Sequence, residues 1–171
     1  LPICAPDFKP AQLELGGNSA VVVLEDADLE VAAQGVVSLL TSLNGQWCRA
    51  LGRLIVHRSL QARLLEAVLE KLRHVRLGDS VAMDTEMGPM VHSGHLRKLR
   101  AQTEALTAKG GRALSSTPLP NGDLAGGHFL APTLITGVAA AEAQDEIFGP
   151  IGTVHAFDTD AEALTLANGT P

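Results

Sequence analysis

"AVVVLEDADLEVAAQGVVSLLTSLNGQWCRALGRLIVH", Ala20 to His57, is the stretch on which the fold turns. Ala20 to Leu24 is a short, valine-rich apolar run bounded by polar residues, the pattern of a strand covered on both faces, and it predicts a central parallel strand. Asp26 or Asp28 then offers an N-cap to Leu29–Leu43, where Leu29, Ala32, Ala33, Val36, Val37, Leu40 and Leu43 recur at helical steps. Asn44-Gly45 is the expected stop. Gly52 to His57 reads as a second strand, so the stretch is a β-α-β unit, with a cysteine at position 48 between the helix end and the second strand.

Outward from this unit the alternation continues. Ser59 is placed to cap a helix whose stripe includes Leu60, Leu64, Leu65, Val68, Leu69 and Leu72. After a loop at Arg76–Met90, a helix is expected over Ser93–Lys109, stopped by Gly110-Gly111, followed by a short strand and a Gly/Pro/Ser-rich surface loop at Ser115–Gly127. "HFLAPTLI" and "IGTVHAF" at Ile151–Phe157 predict strands, and Thr159 with Glu162 has capping-box spacing for a last helix ending at Asn168-Gly169. No internal repeat is evident. The predicted class is α/β, a mostly parallel sheet with helices on both faces and functional groups in loops near strand ends.

The chain has 171 residues, 46% hydrophobic and 19% charged, enough for one well-buried domain. Its formal net charge of -6, with basic residues scattered, offers no footprint for nucleic acid or for an anionic membrane surface. The longest apolar run, Ala20–Leu24, is far short of the roughly 20 residues that span a bilayer, and Leu1–Pro6 lacks the form of a signal peptide. Two cysteines, Cys4 and Cys48, make neither a metal framework nor a disulfide scaffold, so a reducing, cytoplasmic setting is expected. The histidines at 57, 74, 92, 95, 128 and 155 have no spacing that suggests a metal site. The opening on Leu1 and the closing "NGTP" are expected of a piece of a longer chain.

Three segments carry candidate chemistry. In "QLELGGNS", Gln12 to Ser19, Glu14 stands between two leucines before two glycines. An apolar neighbourhood would raise its pKa toward that of a general base, and the plainer reading is a strand with one outward-facing Glu. In "NGQWCRALGR", Cys48 is by residue type a small packing residue; Arg49 and Arg53 would stabilise a thiolate only by pointing at it. In "DEIFGPI", Asp145 to Ile151, two acids and Phe148 precede a Gly-Pro turn, which by itself reads as a turn with Phe148 in the core.

"LELGG" at Leu13–Gly17, the Gly45-Gln46-Trp47-Cys48 run and "EIFGP" at Glu146–Pro150, with "EDADLE", "MGPMV" and "APTLI" between them in order, resemble the NAD(P)-dependent aldehyde dehydrogenase superfamily. The likeness runs from about Lys9 to Thr170 and corresponds to the catalytic domain of that family, without the preceding dinucleotide-binding domain and without the complete oligomerisation segment. The resemblance implies oxidation of an aldehyde to a carboxylate with NAD or NADP. It implies Cys48 as nucleophile, its N–H as half of an oxyanion hole, Glu14 as general base, Glu146 on the nicotinamide ribose and Phe148 beside the cofactor. Trp47 is a substrate-pocket candidate or a packing residue. Cys4 matches no functional position. Asn18 stands where many members have lysine, Leu43 where many have asparagine, and Asp145 replaces the first of two glutamates; none of these removes a catalytic group. A homo-oligomer, dimer or tetramer, is implied for the full-length protein, and an isolated catalytic domain is expected to be inactive. Two alternatives stay open: a CoA-acylating member, and a non-catalytic homologue serving as a structural or interaction module. Retention of both Cys48 and Glu14 weighs against the second.

Overall fold

A computed structural model describes residues 2–170. Strand β1 (Ala20–Val23) leads to helix α1 (Leu29–Thr41), β2 (Arg53–His57) and α2 (Arg58–Arg73); α3 (Ser93–Ala108), β3 (Arg112–Leu114), β4 (Thr133–Thr136), β5 (Ile151–Phe157) and α4 (Asp160–Asn168) follow. The five strands form one sheet in the order β1-β2-β5-β4-β3, parallel except for the antiparallel β3–β4 pair. The predicted α/β class with a mostly parallel sheet holds.

Alternation along β2 places helices on both faces. Leu54 and Val56 enter a core with Ala33, Val36 and Leu40 of α1, Leu64 and Val68 of α2, and Leu99 of α3. Ile55, pointing the other way, packs with Phe157 and Ala163, the latter on α4. No helix is long and apolar enough to cross a membrane among the described residues.

The capping chemistry is local and largely as expected. Asp28 caps α1 by accepting from the N–H groups of Glu30 (2.9 Å) and Val31 (3.0 Å). Thr159 Oγ1 accepts from Glu162 N–H at 3.3 Å, and the Glu162 carboxylate accepts from Asp158 N–H at 2.7 Å, a capping box displaced by one residue. At α2 the cap is His57 rather than Ser59: β2 runs straight into the helix, and His57 Nδ1 accepts from Ser59 N–H at 3.4 Å.

Four further expectations change. β1 is an edge strand rather than a central one: only Val23 is buried, because nothing described here pairs with its outer side. Helix α1 ends at Thr41, and Leu43 leaves the apolar stripe to become 70% exposed, because Leu43, Asn44 and Gly45 all take positive φ. Residues 12–19 form no strand; the bonds that tie the segment to the rest of the fold fall on Asn18 and Ser19 at its end, where the Ser19 carbonyl accepts from the N–H groups of Gly52 and Arg53. "HFLAPTLI" contributes only its last part to β4; Pro132 has no N–H to give to a ladder.

Candidate active site

The turn after α1 is made by close backbone approach. Gly45 has φ of 67°, and a Cβ there would lie 2.5 Å from the Pro150 nitrogen and 2.6 Å from the Gly149 carbonyl carbon. Only glycine lets the two chains touch at this point. Gly149 in turn faces α3, where a Cβ would meet the Leu99 side chain at 2.6 Å. The contact sets "NGQWC" against "EIFGP" although the two are a hundred residues apart in sequence.

Beyond Gly45 the chain bends back, with Ala50 N–H donating to the Trp47 carbonyl at 3.0 Å. Cys48 is exposed at the tip, and its carbonyl accepts from Ser19 Oγ at 3.2 Å. Trp47 is half-buried, with the Arg49 guanidinium carbon 5.8 Å from its ring centroid. Trp47, Cys48, Gly17, Ser19, Glu146 and Phe148 all line one crease of about 10 Å³, too narrow to enclose a substrate with only the walls described here. Glu146 faces Gly16, where a Cβ would approach Oε2 to 3.0 Å. Phe148 is 38% exposed rather than a core residue.

Glu14 is the candidate not brought into the crease. It is exposed, flanked by Leu13 and Leu15 at 56% and 75% exposure, and its carboxylate accepts from Gln12 Nε2 at 2.7 Å. The apolar neighbourhood expected around it is absent because nothing in the described chain covers this segment.

Arg53 does not meet the condition for stabilising a thiolate. Its guanidinium turns away from Cys48 into the sheet, where Nε and Nη2 donate to the Asn18 carbonyl (3.0 and 2.9 Å), Nη1 to that of Leu166 (2.6 Å) and Nη2 to that of Ala167 (2.9 Å). Burial lowers its pKa, but a guanidinium stays charged. It satisfies the carbonyls at the end of α4 and anchors the chain just after Gly16-Gly17. Asn18 is tied down further, its Nδ2 donating to the carbonyls of Ala143 and Gln144, both at 3.2 Å. Gly52 leaves room for it: a Cβ there would collide with Asn18 Oδ1. The sequence carried one sign of this arrangement, a glycine directly before the apolar run of β2. His155, beside Arg53 in the sheet, has its pKa lowered first by burial and then by the arginine's charge; its Nε2 lies 3.0 Å from Thr153 Oγ1.

Residues 2–171 match the sequence profile of the Aldehyde dehydrogenase family. The peroxisomal aminoaldehyde dehydrogenase 1 of Malus domestica is 35% identical over 164 residues, covering 95% of this chain and 32% of the relative. The chloroplastic betaine aldehyde dehydrogenase of Atriplex hortensis is 32% identical over 95% of this chain and 32% of its own length. Among solved structures, betaine aldehyde dehydrogenase from Staphylococcus aureus in complex with NAD+ superposes with a TM-score of 0.88 at 31% identity, over 97% of this chain and 34% of that one. The chain thus spans about a third of the length of these relatives, whose names place them in more than one compartment. With the sheet, the ordered motifs and these matches in agreement, the chain belongs to the aldehyde dehydrogenase family.

Proposed function

We propose that this chain is the catalytic portion of an enzyme that oxidises an aldehyde to a carboxylate with NAD+ or NADP+. The observation that carries the reading is the exposed Cys48 at the tip of a turn packed by its backbone on Gly149-Pro150, with Trp47, Glu146 and Phe148 on the same crease. The Cys48 thiolate adds to the aldehyde carbon, forming a C–S bond and placing the carbonyl electron pair on oxygen, where the Cys48 N–H is available to stabilise it. Bound dinucleotide would supply the hydride acceptor for the thiohemiacetal carbon held on Cys48, leaving a thioester. Water then attacks the resulting thioester, Glu14 takes its proton, and the thiolate leaves.

The residues present suit the nicotinamide end of that cofactor. The Glu146 carboxylate is an acceptor for ribose hydroxyls beside a glycine that leaves it space, and the exposed Phe148 ring suits a planar apolar group. Relatives named for aminoaldehydes and betaine aldehyde support an aldehyde substrate, and the solved NAD+ complex supports NAD+ as one cofactor. Glu14 serves as base once the segment around it is covered by the remainder of the enzyme. The exposed edge of β1, with Val22 at 41% exposure, fits extension of the sheet by a second subunit.

In the complete enzyme, Cys48→Ala is expected to reduce NAD(P)H formation from an aldehyde panel to background while the protein stays folded. Retained turnover would sink the assignment.

A further inference from the structure

The segment Met87–Val91, "MGPMV", takes no part in this chemistry, yet both side chains flanking Gly45 are bonded to its backbone. Asn44 Oδ1 accepts from Gly88 N–H at 2.8 Å, and Asn44 Nδ2 donates to the Pro89 carbonyl at 3.1 Å. Gln46 Oε1 accepts from Val91 N–H at 3.1 Å. The Asn44 amide has only one workable orientation, since reversing it would face N–H to N–H and oxygen to oxygen. The segment is itself immobilised: Met87 and Met90 are 1% and 2% exposed, and Met90 N–H donates to the His128 carbonyl at 2.8 Å.

The turn needs such support. Leu43, Asn44 and Gly45 have φ of 49°, 59° and 67°, a left-handed run that L-residues do not hold by intrinsic preference. Asparagine tolerates this region better than leucine and brings two hydrogen-bonding atoms to it. Cys48 lies three residues further on, so a tilt of the turn moves both the thiol and the Cys48 N–H.

We propose that Asn44 and Gln46 are positioning residues for Cys48, registering its turn on the Gly88–Val91 backbone while Gly149-Pro150 closes the other side. This rests on the reading of Cys48 as nucleophile. In the complete enzyme, Asn44→Gly keeps the left-handed backbone accessible and removes both hydrogen bonds. Its kcat is expected to fall roughly tenfold to a hundredfold, as for displacement of a reacting group by about 1 Å, with KM for the dinucleotide little changed. Asn44→Asp keeps an acceptor for Gly88 N–H but sets a carboxylate oxygen against the Pro89 carbonyl, so it should not recover the loss. Gln46→Ala, outside the left-handed run, provides a second variant should the first unfold. Alkylation of Cys48 by iodoacetamide should slow in the same order, that of Cys4 remaining constant. Parent-like kcat and Cys48 alkylation in both Asn44→Gly and Gln46→Ala overturn the proposal, as does a loss seen only in melting temperature. A parent enzyme without Cys48-dependent turnover would defeat the nucleophile reading instead, and the alkylation order of the variants would still decide the positioning role.

Discussion

The segment Lys9–Gly17 and the turn Leu43–Leu51 carry equally legible motifs, yet the fold treats them in opposite ways. The turn is held by Gly149-Pro150 on one side, Gly88–Val91 on another, and Ser19 at the Cys48 carbonyl. The segment around Glu14 has a hydrogen bond from Gln12 and exposed leucines on either side. One catalytic candidate is therefore preorganised by this chain alone, and the other waits for cover. A thiol that must meet a carbonyl at bonding distance gains from being fixed in advance. A base acting through a water on a later step can be supplied by a segment that orders in the assembled enzyme.

The largest expected effect separates the two roles directly. In the complete enzyme, Glu14→Gln should lower kcat by about 10²–10⁴-fold, the range of general acid–base catalysis, while a first burst of NAD(P)H, one per active site, survives because the thioester still forms. Steady turnover at the parent rate would remove Glu14 from the mechanism. Next, Gly45→Ala forces a Cβ to within 2.6 Å of backbone atoms at a left-handed position and should cost about 2–4 kcal/mol in denaturant unfolding. A parent-like midpoint would mean that the turn can back away from Gly149-Pro150.

Acid provides a smaller test of the same contrast. His155 is buried in the sheet that carries the turn, with its pKa lowered by burial and by Arg53. The unfolded chain takes up a proton on this histidine near pH 6.5 and the folded chain only at lower pH. Stability is therefore full above about 6.5 and declines as pH falls through the window below it. Urea midpoints measured from pH 7.5 to 5 should fall, and His155→Gln should flatten that decline. The smallest effect belongs to the uncovered segment: Gly17→Ala, where a Cβ meets nothing within 4 Å, should stay within about 0.5 kcal/mol of the parent. A large penalty there would show that the segment is packed after all.

How much was legible follows from the range over which each feature is encoded. The α1 stripe as far as Leu40, the Asp28 cap and the Thr159–Glu162 spacing are set by residues up to four apart, and the structure keeps them. The convergence of Trp47, Cys48, Glu146 and Phe148 was expected from a resemblance, since no local pattern relates them. Arg53 was weighed as a partner for the thiolate, but its direction depends on where α4 ends, more than a hundred residues later. The roles of Asn44 and Gln46 were hidden for the same reason, because their partners lie in a loop with no periodicity of its own.

By itself, the sequence determined the class of fold and the caps of α1 and α4, because periodicity and capping are local; the candidate reactive groups came from its resemblance to a family. Tertiary structure alone decided that β1 lies at an edge, that Leu43 turns outward, that Arg53 serves carbonyls, and that Cys48 is fixed while Glu14 is not. Those outcomes depend on which backbones come within contact distance across long separations, and Gly45 against Pro150 is the point where that contact is made.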